Sequence, residues 1–324
     1  MNRGFVLAAA LFVVALLLPL GLDPEGYTLR VLTIALLFAA MSQAWNIVGG
    51  LANQMSLGHA AFFGIGAYTS TILLINFGLS PWIGMLAGAV LGALAALALS
   101  VPTLRLQGHY FALATLAFGE VMRVVANSWA SVTGGPVGIS VPFAPDSWAM
   151  FQFKATTPYY YLMLGALLVV SAIFWAIKRS RMGYWLRAIK ENPDAAEVIG
   201  IDTTRVKLHA SLISAALMAM LGTFYAQFTY FFDPDTVFGI APISIRVALI
   251  AILGGVGTLA GPIIGAFFVI PLEELANTLL AGQVAGLSQF AYGVILIAMI
   301  LIQPRGIVAL IEAGRARLKK KALA

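Results

Sequence analysis

The stretch Arg30-Val31-Leu32-Thr33-Ile34-Ala35-Leu36-Leu37-Phe38-Ala39-Ala40-Met41-Ser42-Gln43-Ala44-Trp45-Asn46-Ile47-Val48-Gly49-Gly50 carries one charge, at its first position, and ends on paired glycines. A helix needs about 20 mainly apolar residues to cross a hydrocarbon core about 30 Å thick, and this run has that length. The rest of the chain has the same character. Of its 324 residues, 61% are hydrophobic and 10% charged, where a soluble chain carries about 25% charged residues. Too little polar surface is available to clothe a water-soluble enzyme, so lipid must cover most of the exterior. The absence of cysteine excludes a disulfide framework, an iron–sulfur cluster and a thiolate zinc site. His59, His109 and His209 show no metal-ligand spacing.

Ten apolar runs of spanning character occur, near 4–22, 30–50, 57–76, 82–101, 108–128, 159–177, 208–230, 240–254, 259–280 and 286–303. Arg3 ahead of the first suggests a signal peptide. Its apolar core is long, however, and no small-residue cleavage site follows Leu20, so it reads as a retained anchor. Lys and Arg mark cytoplasmic loops. Of 19 such residues, seven fall in 178–207 (Lys178, Arg179, Arg181, Arg187, Lys190, Arg205, Lys207) and six in the tail (Arg305, Arg315, Arg317, Lys319, Lys320, Lys321). With six spans before the first cluster and four between the two, both termini are cytoplasmic. The loops then placed outside are acidic: Asp23-Pro24-Glu25, Phe232-Asp233-Pro234-Asp235 and the region of Glu273-Glu274, with Lys154 the clear exception. Arg105 falls inside. The formal charge of +6 therefore reports topology and not a nucleic-acid surface. The expectation is an all-α polytopic membrane protein, one transmembrane domain over 1–324 with a cytoplasmic segment at 178–207 and a basic tail at 304–324. That tail would attract anionic headgroups of the bilayer at about 1 kcal/mol per residue.

Two apolar segments break on glycine in similar ways. Ile47-Val48-Gly49-Gly50 precedes Leu57-Gly58-His59-Ala60-Ala61-Phe62-Phe63-Gly64-Ile65-Gly66-Ala67, and Ile252-Leu253-Gly254-Gly255 precedes Leu259-Ala260-Gly261-Pro262-Ile263-Ile264-Gly265-Ala266-Phe267-Phe268. Matching interruptions in two halves point to an inverted repeat with broken helices near a pathway, though short glycine-rich similarities also arise by chance in membrane helices. Gly84, Gly88 and Gly92, and again Gly257, Gly261 and Gly265, form small-residue stripes that let helix backbones approach closely.

The segment 178–207 interrupts the membrane pattern. Asn192 suits a helix cap, Pro193 the first helical position, and Asp194 the first turn, where the helix dipole favours an anion. Gly200 supplies the stop. A two-turn helix of this kind is unstable alone and must lie against something, a membrane surface or a groove in a partner.

At these residues the chain resembles the permeases of bacterial branched-chain amino acid ABC transporters, specifically the LivM-type subunit. Ser56-Leu57-Gly58-His59-Ala60-Ala61-Phe62-Phe63-Gly64-Ile65-Gly66-Ala67-Tyr68 is similar to the family's N-terminal signature. Tyr110 to Glu120, followed by Thr133-Gly134-Gly135-Pro136-Val137-Gly138, is similar to its central one. Arg187-Ala188-Ile189 through Asp194-Ala195-Ala196 and Gly200-Ile201 resembles the segment that rests on the ATPase subunit. It departs from the general importer pattern, with Asp194 where a leading Glu would stand. The stretch Ile252 to Pro262 also fits. The resemblance implies ATP and Mg²⁺ in two separate ATPase subunits, a second related permease subunit, an extracytoplasmic substrate-binding protein and residence in the bacterial inner membrane. It also implies coupling to the ATPase through Arg187, Asp194, Ala195, Ala196 and Gly200.

No Gly-x-x-x-x-Gly-Lys-Ser/Thr loop occurs, so this chain has no P-loop of its own, and no cofactor is expected in it. Intramembrane charges are the default functional candidates, at about 2.5–3.5 kcal/mol each to insert at mid-helix. Glu120 and Arg123, three apart on one helix, and Arg246 could meet the ammonium and carboxylate of a zwitterionic solute, or form structural ion pairs. His59 reads as a packed, hydrogen-bonded histidine before a gate. Gly49, Gly50, Gly58, Gly254, Gly255 and Gly261 are the expected break or gating positions. The reading is an importer subunit for hydrophobic amino acids. The alternatives are a related permease for urea, short amides or aromatic acids, and an ion-coupled secondary transporter, which the scarcity of intramembrane carboxylates disfavours. A membrane-embedded enzyme lacks any catalytic cluster.

Overall fold

The computed structural model of the chain describes residues 12–103, 106, 108–143, 146–280, 286–302 and 306–310. Arg3, the start of the first run, Arg105 and, apart from 306–310, the tail 304–324 lie outside the described residues. The main helices are α1 (Tyr27–Asn46, continued by a wide turn over Ile47–Leu51), α2 (His59–Phe77), α3 (Pro81–Thr103), α4 (His109–Ser128), α5 (Thr156–Arg179), α6 (Arg181–Glu191), α7 (Pro193–Val198), α8 (Thr203–Thr229), α9 (Arg246–Gly254), α10 (Gly261–Leu280) and α11 (Leu287–Ile302). A short ladder pairs β1 (Ile139–Ser140) antiparallel with β2 (Phe231–Phe232).

Among the described residues, seven helices are long and apolar enough to cross a bilayer: Tyr27–Leu51, His59–Phe77, Pro81–Thr103, Thr156–Arg179, Thr203–Thr229, Pro234–Gly254 and Gly261–Leu280. The chain is thus an all-α polytopic membrane protein. The other three expected runs differ for separate reasons. The first is described only from Phe12 to Gly21. The helix α4 has 20 residues, but His109, Glu120, Arg123 and Asn127 lower its hydropathy. The helix α11 spans 16 residues.

The helix α1 is apolar on every side because it is the centre of the bundle, with 89% of its most apolar window buried. It packs against α5, α8, α9 and α10, while α2, α3 and α8 form a second close group. Lipid tails are as apolar as leucine, so close packing, not hydrophobicity, holds such helices together. The first glycine stripe serves this purpose. A Cβ on Gly84 would stand 2.7 Å from the Ser70 Cα, and one on Gly88 3.1 Å from the Gly66 Cα, so α3 lies directly on the α2 backbone.

The connections gather at two ends. At one, Thr156 N–H donates to the Pro24 carbonyl (3.1 Å) and the Tyr27 hydroxyl donates to Glu274 (2.6 Å), beside the β1–β2 ladder. At the other lie both glycine breaks and the segment α6–α7. This corrects the inverted-repeat expectation. Both α1 and α9 run from the first end to the second, and their breaks touch: Gly257 N–H donates to the side chain of Asn46, in the last turn of α1 before Gly49-Gly50. An axis in the membrane plane would carry the two breaks to opposite ends. The similar segments therefore run in the same sense.

Candidate functional site

Where α1 breaks, its last carbonyls lose their helical partners, and burial makes an unpaired carbonyl costly. The chain meets this cost from two directions. Asn46, fully buried, clamps the second break: its Nδ2 donates to the Thr258 carbonyl (2.9 Å) and its Oδ1 accepts from Gly257 N–H (2.7 Å). Lys190 of α6 donates to the Gly50 carbonyl (3.2 Å), and Lys178 at the end of α5 donates to the Gly257 carbonyl (2.7 Å). Cations at helix C-terminal carbonyls are favourable by charge as well as by hydrogen bonding. The two breaks and the intervening basic segment thus form one connected unit. Gly50 admits the close approach, since a Cβ there would lie 2.7 Å from Gly257 N and collide with the Asn46 amide.

The basic segment folds as its residues suggest locally. Ser180 Oγ caps α6, Asn192 Oδ1 accepts from Ala195 N–H (3.0 Å) at the start of α7, and Asp202 Oδ1 accepts from Arg205 N–H (2.9 Å) at the start of α8. Pro193 occupies the first turn of α7, and Gly200 takes a positive φ of 87°. Of the residues assigned to ATPase coupling, Asp194, Ala195 and Gly200 are exposed, whereas Ala196 is 2% exposed and packs into the chain's own core. Arg187 is engaged internally, donating to the Gly183 carbonyl (3.1 Å) with its guanidinium 4.5 Å from the Tyr184 ring centre. The apolar groups that project from this tip are Val198, 87% exposed, and Ile199, 73% exposed. Sequence reasoning missed both. An apolar pair just before the glycine stop was the available signal.

The intramembrane charges divide into two separate groups. Arg123 donates from Nε to both carboxylate oxygens of Glu120 (3.1 and 3.0 Å) and from Nη1 to Asp235 (2.5 Å), which also accepts from Asn127 (3.1 Å). Arg246 is elsewhere. Its Nη2 donates to Glu273 (2.6 Å), and its guanidinium lies 5.1 Å from the Phe38 ring centre. Each cation already has an acidic partner on this chain, and neither Asp235 nor Glu273 was anticipated as that partner. The Arg246 and Glu273 side chains are 27% and 19% exposed. Arg246→Met should therefore cost about 2 kcal/mol by stranding a largely buried carboxylate, and Arg246→Met/Glu273→Gln should restore most of it. Thermal unfolding of the detergent-solubilised chain reads both.

His59 is held on both ring nitrogens, by Ser56 Oγ at Nδ1 and Ser214 Oγ at Nε2, each 2.9 Å away. The Ser214 proton goes to the Ala44 carbonyl (2.7 Å), so Nε2 carries the hydrogen and Nδ1 accepts from Ser56. Next to it, Trp45 Nε1 donates to the Ser56 carbonyl and Thr115 Oγ1 accepts from Leu57 N–H. The loop after the first break is thereby pinned to α1, α4 and α8. Gly58 lies against the Thr115 carbonyl, and Gly261 opens α10 against the Gly255 carbonyl, with Gly254 packed on Gly261.

The family model described as branched-chain amino acid transport system / permease component matches residues 27–302. The chain is 29% identical to the high-affinity branched-chain amino acid transport system permease protein LivM of Escherichia coli (strain K12), over 98% of this chain and 78% of that protein. It is 30% identical to the LivM of Salmonella typhimurium (strain LT2), over 89% and 71%. It is also 26% identical to the permease protein LivH of Escherichia coli (strain K12), over 85% and 92%. No solved structure matches the chain. Nearly the whole described bundle falls inside the matched range, and the relatives cover most of its length, so the chain is a multi-pass transport permease subunit that belongs to the branched-chain amino acid transport system permease family.

Proposed function

We propose that this chain forms one half of a translocation path for branched-chain amino acids across the bacterial inner membrane, driven by ATPase subunits on separate polypeptides. ATP and Mg²⁺ belong to those subunits. The second half of the path is a related permease subunit, a reading supported by likeness to both LivM and LivH. An extracytoplasmic binding protein delivers the solute at the acidic end. The topology that goes with this reading has ten spans with both termini cytoplasmic, placing the end that carries Lys178, Lys190 and α7 inside.

One observation carries the coupling: Val198 and Ile199 stand exposed at the tip of a segment whose own lysines bond to both helix breaks. A load applied to that tip reaches Gly50 through Lys190 and Gly257 through Lys178. The segment 178–207 is in this reading the element that receives the ATPase stroke, and α1 and α9 are the elements it moves. Purifying the chain from its native membrane should bring an ATPase with it. Val198→Asp/Ile199→Asp should lose that ATPase while the permease remains in the membrane at normal abundance. An ATPase retained by the double variant contradicts the docking tip, and its absence from the unaltered chain contradicts the importer reading.

A further inference from the structure

A cavity opens at the end of the bundle that holds the breaks, between the loop after the first break, the junction of α6 and α7, and the start of α8. Its enclosed space is about 180 Å³ behind an open mouth, below the roughly 300–1,000 Å³ usual for drug-sized ligands and on the scale of a smaller solute. Its walls carry two kinds of group. Phe111 and Ile189 are apolar, and Lys190, Lys207, Gln54 and Asn53 are polar.

Two of these polar groups are anomalous. Lys207 is 6% exposed, and its side chain makes no hydrogen bond or ion pair among the described residues. The neighbouring carboxylate, Glu197, accepts from the Thr203 hydroxyl at 2.5 Å and does not line the cavity. Gln54 is 8% exposed, and its Oε1 is buried without a partner. Buried polar groups are normally satisfied, and Glu197 reaches Lys207 by charge alone, leaving the ammonium's hydrogens free for a further acceptor. A lysine side chain with no hydrogen bond of its own and a buried acceptor with no partner face a cavity that also has an aromatic and an aliphatic wall.

We infer that this cavity binds a zwitterionic α-amino acid with an apolar side chain, the solute as it stands on the cytoplasmic side of the permease. The carboxylate pairs with Lys207, with Lys190 beside it. The ammonium donates to Gln54 Oε1, and the side chain lies on Phe111 and Ile189. This site rests on the substrate reading above and adds to it a place for the carried solute within one subunit. Because Lys190 also holds the Gly50 carbonyl, a bound solute touches the same lysine that ties the basic segment to the first break.

The test is equilibrium binding of tritiated leucine to the full-length chain with its co-purifying subunits in phosphatidylcholine nanodiscs, with no binding protein added. The unaltered chain should bind leucine saturably. Neither 4-methylpentanoate, which lacks the ammonium, nor isoamylamine, which lacks the carboxylate, should compete at equal concentration. Lys207→Met and Gln54→Leu should each weaken binding by about tenfold or more, and Lys207→Arg should keep most of it. Because the analogue competition uses the unaltered chain, the test holds even where a variant fails to fold. No saturable binding, leucine affinity unchanged in both variants, competition by 4-methylpentanoate as strong as by leucine, or displacement of leucine by phosphatidylglycerol would each overturn the site. Cellular leucine uptake measured in parallel separates the two readings. Uptake that depends on this chain, without leucine binding in the nanodisc, removes the site alone. A chain that supports uptake of no branched-chain amino acid removes the substrate reading itself.

Discussion

Gly50→Ala is expected to abolish solute uptake and to lower the stability of the solubilised chain by about 2 kcal/mol or more, the scale of overpacking in a tight core. The added methyl carbon would collide with the Asn46 amide and stand 2.7 Å from Gly257 N. An asparagine side chain can usually rotate away. This one is held by two hydrogen bonds to the second break, to Gly257 N–H and the Thr258 carbonyl, and it is fully buried. Accommodating the methyl means breaking those bonds or separating the breaks, and either leaves buried peptide groups unpaired. The control is Gly165→Ala on α5. No atom outside its own helical turn lies within 4 Å of where a Cβ would stand, and alanine is the better helix former by about 1 kcal/mol. That variant should keep full uptake and match or exceed the parent in thermal unfolding. Equal behaviour of the two substitutions would mean that the contact between the breaks has no structural weight.

Lys178→Met/Lys190→Met should uncouple transport from ATP hydrolysis. Each lysine donates one charge-assisted hydrogen bond to the carbonyl of a break, and such bonds contribute about 1.5–3 kcal/mol each. Methionine keeps the length and apolar body of the side chain and removes only the donor. The surface that carries Val198 and Ile199 is untouched, so the ATPase should still bind and hydrolyse ATP. Uptake should fall by about tenfold or more, the factor that corresponds to losing one such bond. The ratio of solute moved to ATP hydrolysed, compared between parent and variant, is the measured quantity. A proportional fall in both rates would indicate lost assembly, and an unchanged ratio would remove the lysines from the transmission route.

Much of the fold was legible from composition alone. The runs that became α1, α2, α3, α5, α8 and α10 are apolar over membrane-spanning lengths, and lipid imposes that length directly. The cap at Asn192, the proline at the first turn of α7 and the stop at Gly200 were equally legible, because each is a local rule read over four to eight neighbouring residues. Pairings across the bundle were not. Glu120 and Arg123 sit one helical turn apart, so their bond could be read. The meeting of Arg123 with Asp235, and of Arg246 with Glu273, depends on packing between distant helices.

The repeat shows the same limit. The two glycine breaks could be matched by their residues, but their sense across the membrane follows from which ends touch, through Asn46 and Gly257. In α7 the periodicity was too short to assign faces. Six residues make fewer than two turns, so nothing local separates a buried Ala196 from an exposed Val198. That difference moves the proposed docking tip away from Ala196 to Val198 and Ile199, with Ala195 exposed beside them.

The central claim is that this chain is a conduit worked by a separate ATPase through its basic segment. The most direct measurement is leucine uptake into proteoliposomes holding the complete transporter and its binding protein, with ATP or ion gradients imposed one at a time. The account predicts uptake that requires ATP, is blocked by vanadate and is indifferent to collapse of proton and sodium gradients. Uptake sustained by an ion gradient with no ATP present would contradict it and make the chain a secondary transporter.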